Sequence, residues 1–175
     1  MDLRIKKTKT NLINAFIELR SRKAIEKITI KELTERAMMN KATFYRHYKD
    51  IYDLSESIED NLIDSCLASI PDPDILFDEN GFFQLNAAFY SNKELFGIIF
   101  SGSRTDIAVH KIHEKLCAMI YKKHPEIKAD LRKTVLLSAM IFGCFHAYFA
   151  HLDEDYTTVI ESLSKTSVLW ASILQ

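Results

Sequence analysis

The chain has 175 residues, 47% of them hydrophobic, with only four glycines and three prolines; this disfavours a turn-rich β fold and points to helices around a real core. A net charge of −1 conceals a split: residues 1–50 hold 13 Lys+Arg against 6 Asp+Glu (net +7), and the remainder holds 10 against 18 (net −8). Such a basic third suggests one surface that faces phosphates, and the acidic remainder one that faces away.

The start, MDLRIKKTKT, lacks the apolar run of a signal peptide, so a cytoplasmic protein is expected. Residues 7–20 then read as a helix, because Leu12, Ile13, Phe16, Ile17 and Leu19 form an apolar stripe.

Residues 29–54, TIKELTERAMMNKATFYRHYKDIYDL, are the most informative stretch. Thr29 followed by Glu32 predicts a capping box, in which each side chain satisfies an orphan amide of the other residue. Ile30, Leu33 and Ala37 recur at helical spacing behind it. Asn40 predicts the cap of a second short helix, whose Phe44 and Tyr48 lie four apart and can face the first. Two short helices joined by Met38-Met39-Asn40 have the anatomy of a helix-turn-helix, the motif that lays its second helix in the major groove of DNA.

The second helix carries suitable chemistry. Ala42, Thr43 and Arg46 are expected to turn away from Phe44 and Tyr48, with Lys41, Tyr45 and His47 at the flanks. Small residues permit close approach to base edges, a Thr methyl can meet a thymine methyl, and cations reach guanine or phosphate. Tyr45, His47 and Lys49 suit phosphate clamping, which fixes register without reading sequence. Thr29 and Lys31 complete the candidate DNA contacts. Arg4, Lys6, Lys7 and Lys9 fit either an arm along the DNA backbone or a solvated helix start.

Residues 4–54 resemble the DNA-binding domain of the TetR family of transcriptional regulators. In that family the second helix ends near Ala-Gly-Val and the third reads close to Thr-Phe-Tyr-Arg-His-Phe; here these are Ala37-Met38-Met39 and Thr43-Phe44-Tyr45-Arg46-His47-Tyr48. The resemblance implies a three-helix DNA-binding head over residues 1–50, a helical effector and dimerisation body over 51–175, a palindromic double-stranded operator and a homodimer. Two departures stand out. Met38 replaces the usual turn glycine, at a cost of about 1 kcal/mol for a side chain held at positive φ. Ile51 stands where the family often has a phosphate-contacting Lys, leaving Lys49 as a substitute.

Beyond the motif only helices are predicted, about nine in all. A long fourth helix runs to about residue 69, where Pro71-Asp72-Pro73-Asp74 breaks it, and a solvated loop reaches Gly81. Two short helices follow near 82–90 and 93–100, then three longer ones near 105–123, 127–152 and 156–174. Cys66, Cys117 and Cys144 show no paired spacing and read as small buried hydrophobes.

Residues 135–150, VLLSAMIFGCFHAYFA, are apolar nearly all round. Sixteen residues interrupted by Ser138 and His146 fall short of the about 20 a membrane span needs, so a central helix buried on both sides is expected, and no membrane. This helix and the last one, with Met140, Leu163, Trp170 and Ile173, are the expected four-helix dimer interface.

Aromatics crowd the middle of the body. Phe89, Phe96, Phe142 and Phe145, with His110, His113 or His146 as polar contact, suit a pocket for a small apolar or aromatic effector; a fully packed core explains them equally well. No phosphate-binding glycine loop, nucleophile elbow or converging metal-ligand set is evident, so no enzyme, cofactor or metal is expected. The expectation is thus an all-α regulator, with a TetR-like interaction protein that docks a protein partner as the alternative.

Overall fold

The computed structural model is helical, with no strand among the described residues. It describes residues 3–70, 72–101 and 104–174, and their side chains except those of residues 3, 4, 75, 79, 167, 170, 171, 173 and 174. The helices are α1 (Leu3–Arg20), α2 (Ile30–Arg36), α3 (Lys41–Tyr45), α4 (Ile51–Leu67), α5 (Glu79–Tyr90), α6 (Lys93–Ile99), α7 (Thr105–Lys123), α8 (Pro125–Ala129), α9 (Leu131–Ala150) and α10 (Tyr156–Leu174). Short 3₁₀ turns occupy Ile25–Lys27 and Pro73–Phe77. The helix expected over residues 127–152 is two. Pro125 opens α8, and the Asp130 carboxylate accepts the Arg132 amide at 2.8 Å to cap α9.

The chain divides into two compact units, residues 1–62 with 94–101 and residues 63–93 with 102–175. The boundary between these units falls inside α4, later in the chain than the boundary expected at residue 50, and α6 joins the first unit. Ile51, Leu54, Ile58 and Leu62 explain the first shift, being buried like Leu12, Phe16, Leu33 and Phe44 of the same unit. Arg20 explains the second. Buried at the end of α1, it donates to the carbonyls of Lys23 (3.0 Å) and Ile99 (3.3 Å) and to Ser101 Oγ (2.9 Å), capping the C-terminus of α6.

In the second unit α9 lies against α7, α8 and α10, and α10 also against α5. Leu137, Met140, Ile141, Cys144, Phe145 and Tyr148 recur at intervals of three and one and are all buried. The opposite side is open: Leu131 is 77% and Val135 59% exposed, and Ala139, Gly143 and His146 are exposed too. Burial of α9 on both sides is thus not found within the chain. The helix has the length and composition of a membrane span, with mean hydropathy 1.3 in a window one-third buried.

Two residues expected at a dimer interface belong to the protomer's own core, Met140 at 3% and Leu163 at 9% exposure. The side chains of Trp170 and Ile173 lie outside those described. Nor is the acidic loop merely solvated. Lys123 Nζ bridges Asp72 and Asp74 (2.7 Å to Asp74 Oδ2), and His124 lies between Asp74 and Glu126. These bonds hold both aspartates below the ordinary carboxylate range, and the Asp74 hydrogen bond raises His124. All three cysteines are buried free thiols, and burial pushes Cys66 and Cys144 up to about 11.

Candidate nucleic-acid interface

The helix-turn-helix is built by its caps. Thr29 Oγ1 accepts the Glu32 amide at 3.2 Å and starts α2. The capping box is only half made, because the Glu32 carboxylate turns to Lys23 Nζ and ties α2 to the end of α1. Glu18 adds a second tie, pairing with Arg22 at 3.0 Å and with Arg36, whose hydrogen bond lowers the Glu18 pKa. Arg36 therefore braces the motif.

The turn closes through two bonds of the Schellman type: the Met39 amide donates to the Thr34 carbonyl at 2.9 Å and the Met38 amide to Glu35 at 3.1 Å. That geometry demands a left-handed residue, and Met38, 93% exposed, supplies it with φ 55°. Met38 thus adopts the left-handed conformation that favours glycine, at a local cost. Asn40 Oδ1 then accepts the Thr43 amide at 2.8 Å and starts α3. Phe44 is fully buried beneath α3 and contacts the rings of Tyr45 and Tyr48. Truncating it to Ala would cost about 3–5 kcal/mol.

Around this anchor the candidates divide. Lys41, Ala42 and Tyr45 are exposed on α3, with Tyr45 at 57%, and so are Arg46 at its C-terminal cap and Lys49 beyond it. Thr29 and Lys31 are exposed at the start of α2, on the same compact unit. Thr43 and His47 differ from expectation. Half-buried, they line a groove of about 710 Å³ with Lys7, Thr8 and Asn11 of α1 and with Met38, Met39 and Arg46. The groove bears cationic and neutral polar side chains and no carboxylate.

The start of α4 is the other departure. Asp50 Oδ1 accepts the Asp53 amide at 2.8 Å, and Asp53 Oδ2 accepts the Lys49 amide at 2.8 Å. Two carboxylates thus occupy a helix N-terminus that would otherwise attract an anion. Ile51, at the position the family resemblance gives to a phosphate-binding lysine, is 6% exposed and part of the core. Tyr52 is 52% exposed on the outer side of α4, and its offset from Ile51 and Leu54 marks it in the sequence as off the core face. Asn11 is exposed and lies off the Leu12/Phe16 stripe of α1, whereas Thr8, four residues before Leu12, continues it and is half-buried.

Six of the seven residues considered for an effector pocket form two ring clusters in the second unit, and Phe96 belongs to the first. Phe96 stacks on Phe100 in the first unit, at 5.5 Å between centroids. In the second, Phe89 and Phe145 are buried edge to face at 5.1 Å and fill each other's space. His113 (4.4 Å) and His110 (5.0 Å) pack on Phe142, with His146 farther away at 6.4 Å. Burial lowers the His113 pKa, and His110 adds to that; its Nε2 lies 2.9 Å from Ser138 Oγ. The groove His113 lines, about 570 Å³, is shared with Glu114, Cys117, Ala118, Tyr121, Lys122 and Lys128 and carries charged side chains of both signs. Comparison of the chain with protein-family models, curated proteins and solved structures finds no match.

Proposed function

We propose that this protein is a TetR-like transcriptional regulator, by default a repressor, that binds a palindromic double-stranded operator as a homodimer. The observation that carries the reading is the capped α2–turn–α3 pair, anchored on buried Phe44, with Lys41, Ala42, Tyr45 and Arg46 exposed together beside a carboxylate-free groove. A short helix held by its buried side and bearing small, aromatic and cationic groups on the other suits a major groove. In a dimer the two copies of α3 would need to lie roughly 34–36 Å apart. The exposed side of α9, with Leu131, Val135, Ala139 and Gly143, is the surface we assign to the second copy, in place of Met140 and Leu163.

The test is selection of bound fragments from genomic DNA, followed by titration of the enriched site at several salt concentrations. With on the order of 6–10 phosphates neutralised by a dimer, affinity should fall ~10³–10⁵-fold between 50 and 200 mM salt. Lys49→Ala should flatten the slope of log affinity against log salt by about two units, one per subunit, equally on cognate and scrambled DNA. Failure to enrich any fragment over scrambled DNA at low salt would sink the reading. The second reading, a TetR-like interaction protein whose body docks a protein partner and has no small-molecule site, draws on the same exposed α9 side.

A further inference from the structure

Thr43 is engaged on both sides of its hydroxyl. Its Oγ1 donates to Asn40 Oδ1 at 3.0 Å, and Arg46 Nη2 donates to the same Oγ1 at 3.2 Å. A hydroxyl has one proton, and here that proton goes to the capping asparagine, which also holds the Thr43 amide at 2.8 Å. The hydrogen bonds therefore run in one direction, from the Arg46 guanidinium through Thr43 to Asn40, and the cap that starts α3 also fixes the arginine one turn later. Thr43 is half-buried, whereas Arg46 is exposed. Ala42, on the same side of the helix one turn before Arg46, is too small to obstruct it.

We infer that Thr43 is a positioning residue which, anchored on Asn40, aims Arg46 at a guanine of the operator and does not itself read a base. The inference rests on the DNA-binding reading above and deepens it. Arg has five N–H donors in a planar fork, and the bond to Thr43 uses one, so a pair remains for the O6 and N7 acceptors of guanine. Holding the fork before DNA arrives removes part of the rotamer freedom that a long side chain otherwise loses on binding. A Thr methyl reading a thymine methyl would need no such chain of hydrogen bonds.

Two substitutions of Thr43 separate these roles in the full-length protein. Thr43→Val keeps the branched shape and methyl and deletes the hydroxyl; Thr43→Ser keeps the hydroxyl and deletes the methyl. On the operator selected from genomic fragments, Thr43→Val should lose about 10- to 100-fold in affinity, the span of one bidentate base contact. The loss should be confined to one G·C pair in each half-site when every position is substituted in turn. Arg46→Ala should lose preference at that same pair, the double variant should lose no more than Arg46→Ala alone, and Thr43→Ser should bind as wild type. Nitrogen-15 relaxation of the Arg46 side chain, measured without DNA, should report an ordered guanidinium in wild type and Thr43→Ser and a mobile one in Thr43→Val. Full binding by Thr43→Val, additive losses in the double variant, or an Arg46→Ala loss spread evenly over all sequences (a phosphate contact) would each overturn the assignment. A wild-type protein that enriches no fragment removes the DNA-binding reading and the guanine with it; the relaxation data then still decide whether Thr43 orders Arg46.

Discussion

Arg20 and Ile99 lie 79 positions apart in the chain and are joined by a buried hydrogen bond, the Arg20 guanidinium donating to the Ile99 carbonyl at 3.3 Å. The last carbonyls of a helix have no partner within it, and a cation suits that end of the helix dipole. Arg20 serves both needs for α6 while also holding Lys23 and Ser101. Arg20→Met keeps much of the apolar stem and removes every one of these bonds. It should destabilise the protein by about 2–3 kcal/mol, read as a lower urea midpoint, because a buried carbonyl is left without its charged donor. An unchanged midpoint would mean that water replaces the guanidinium at no cost.

Met38 is strained and solvent-exposed, so its replacement should help. At φ 55° a side chain costs about 1–2 kcal/mol, whereas glycine is at ease there but loses more backbone entropy on folding. Met38→Gly should therefore raise stability by about 0.5–1 kcal/mol and leave DNA affinity within twofold. A fall in melting temperature would show that the exposed thioether makes contacts that matter.

The exposed and buried sides of α9 and α10 should respond differently to charge. Leu163→Glu or Met140→Glu places a carboxylate in the protomer core and should cost about 3 kcal/mol or more, with loss of helical signal at moderate urea. Val135→Glu, on the open side, should leave unfolding nearly unchanged and shift sedimentation from dimer to monomer. Wild-type protein that sediments as a monomer at micromolar concentration would remove the self-association surface altogether.

The Asp74–His124–Glu126 cluster makes stability depend on pH in a defined direction. His124 is raised above its ordinary value of 6.5, so its contribution is complete below pH 6.5 and is lost as pH rises through the folded-state value. Asp74 is lowered from 3.8, so its contribution is complete above pH 3.8 and is lost as pH falls through the folded-state value. Both are whole between pH 3.8 and 6.5. The melting-temperature difference between wild type and His124→Gln should be largest in that window and shrink towards pH 9. Because these groups are exposed, the whole difference should be small, a few degrees at most. A difference that grows above pH 7 would reverse the assignment.

Periodicity and capping chemistry in the sequence determined the helical class, the helix-turn-helix and most helix positions. Thr29 and Asn40 act within three residues of themselves, and the Leu12–Phe16–Leu19 spacing needs no knowledge of what covers it. Local signals of this kind survive in a sequence because their partners are near neighbours. Tertiary structure alone decided the rest. Whether Glu32 returns to Thr29 or reaches Lys23 depends on where the end of α1 comes to lie, and whether Asp74 is solvated or bonded depends on residues about 50 positions away. The sides of α9 are the clearest case. Apolar residues surround this helix almost completely, so composition cannot distinguish the side packed on α7 and α10 from the side left open. Burial is set by the arrangement of neighbouring helices, and in this chain they cover Met140 and leave Val135 in solvent.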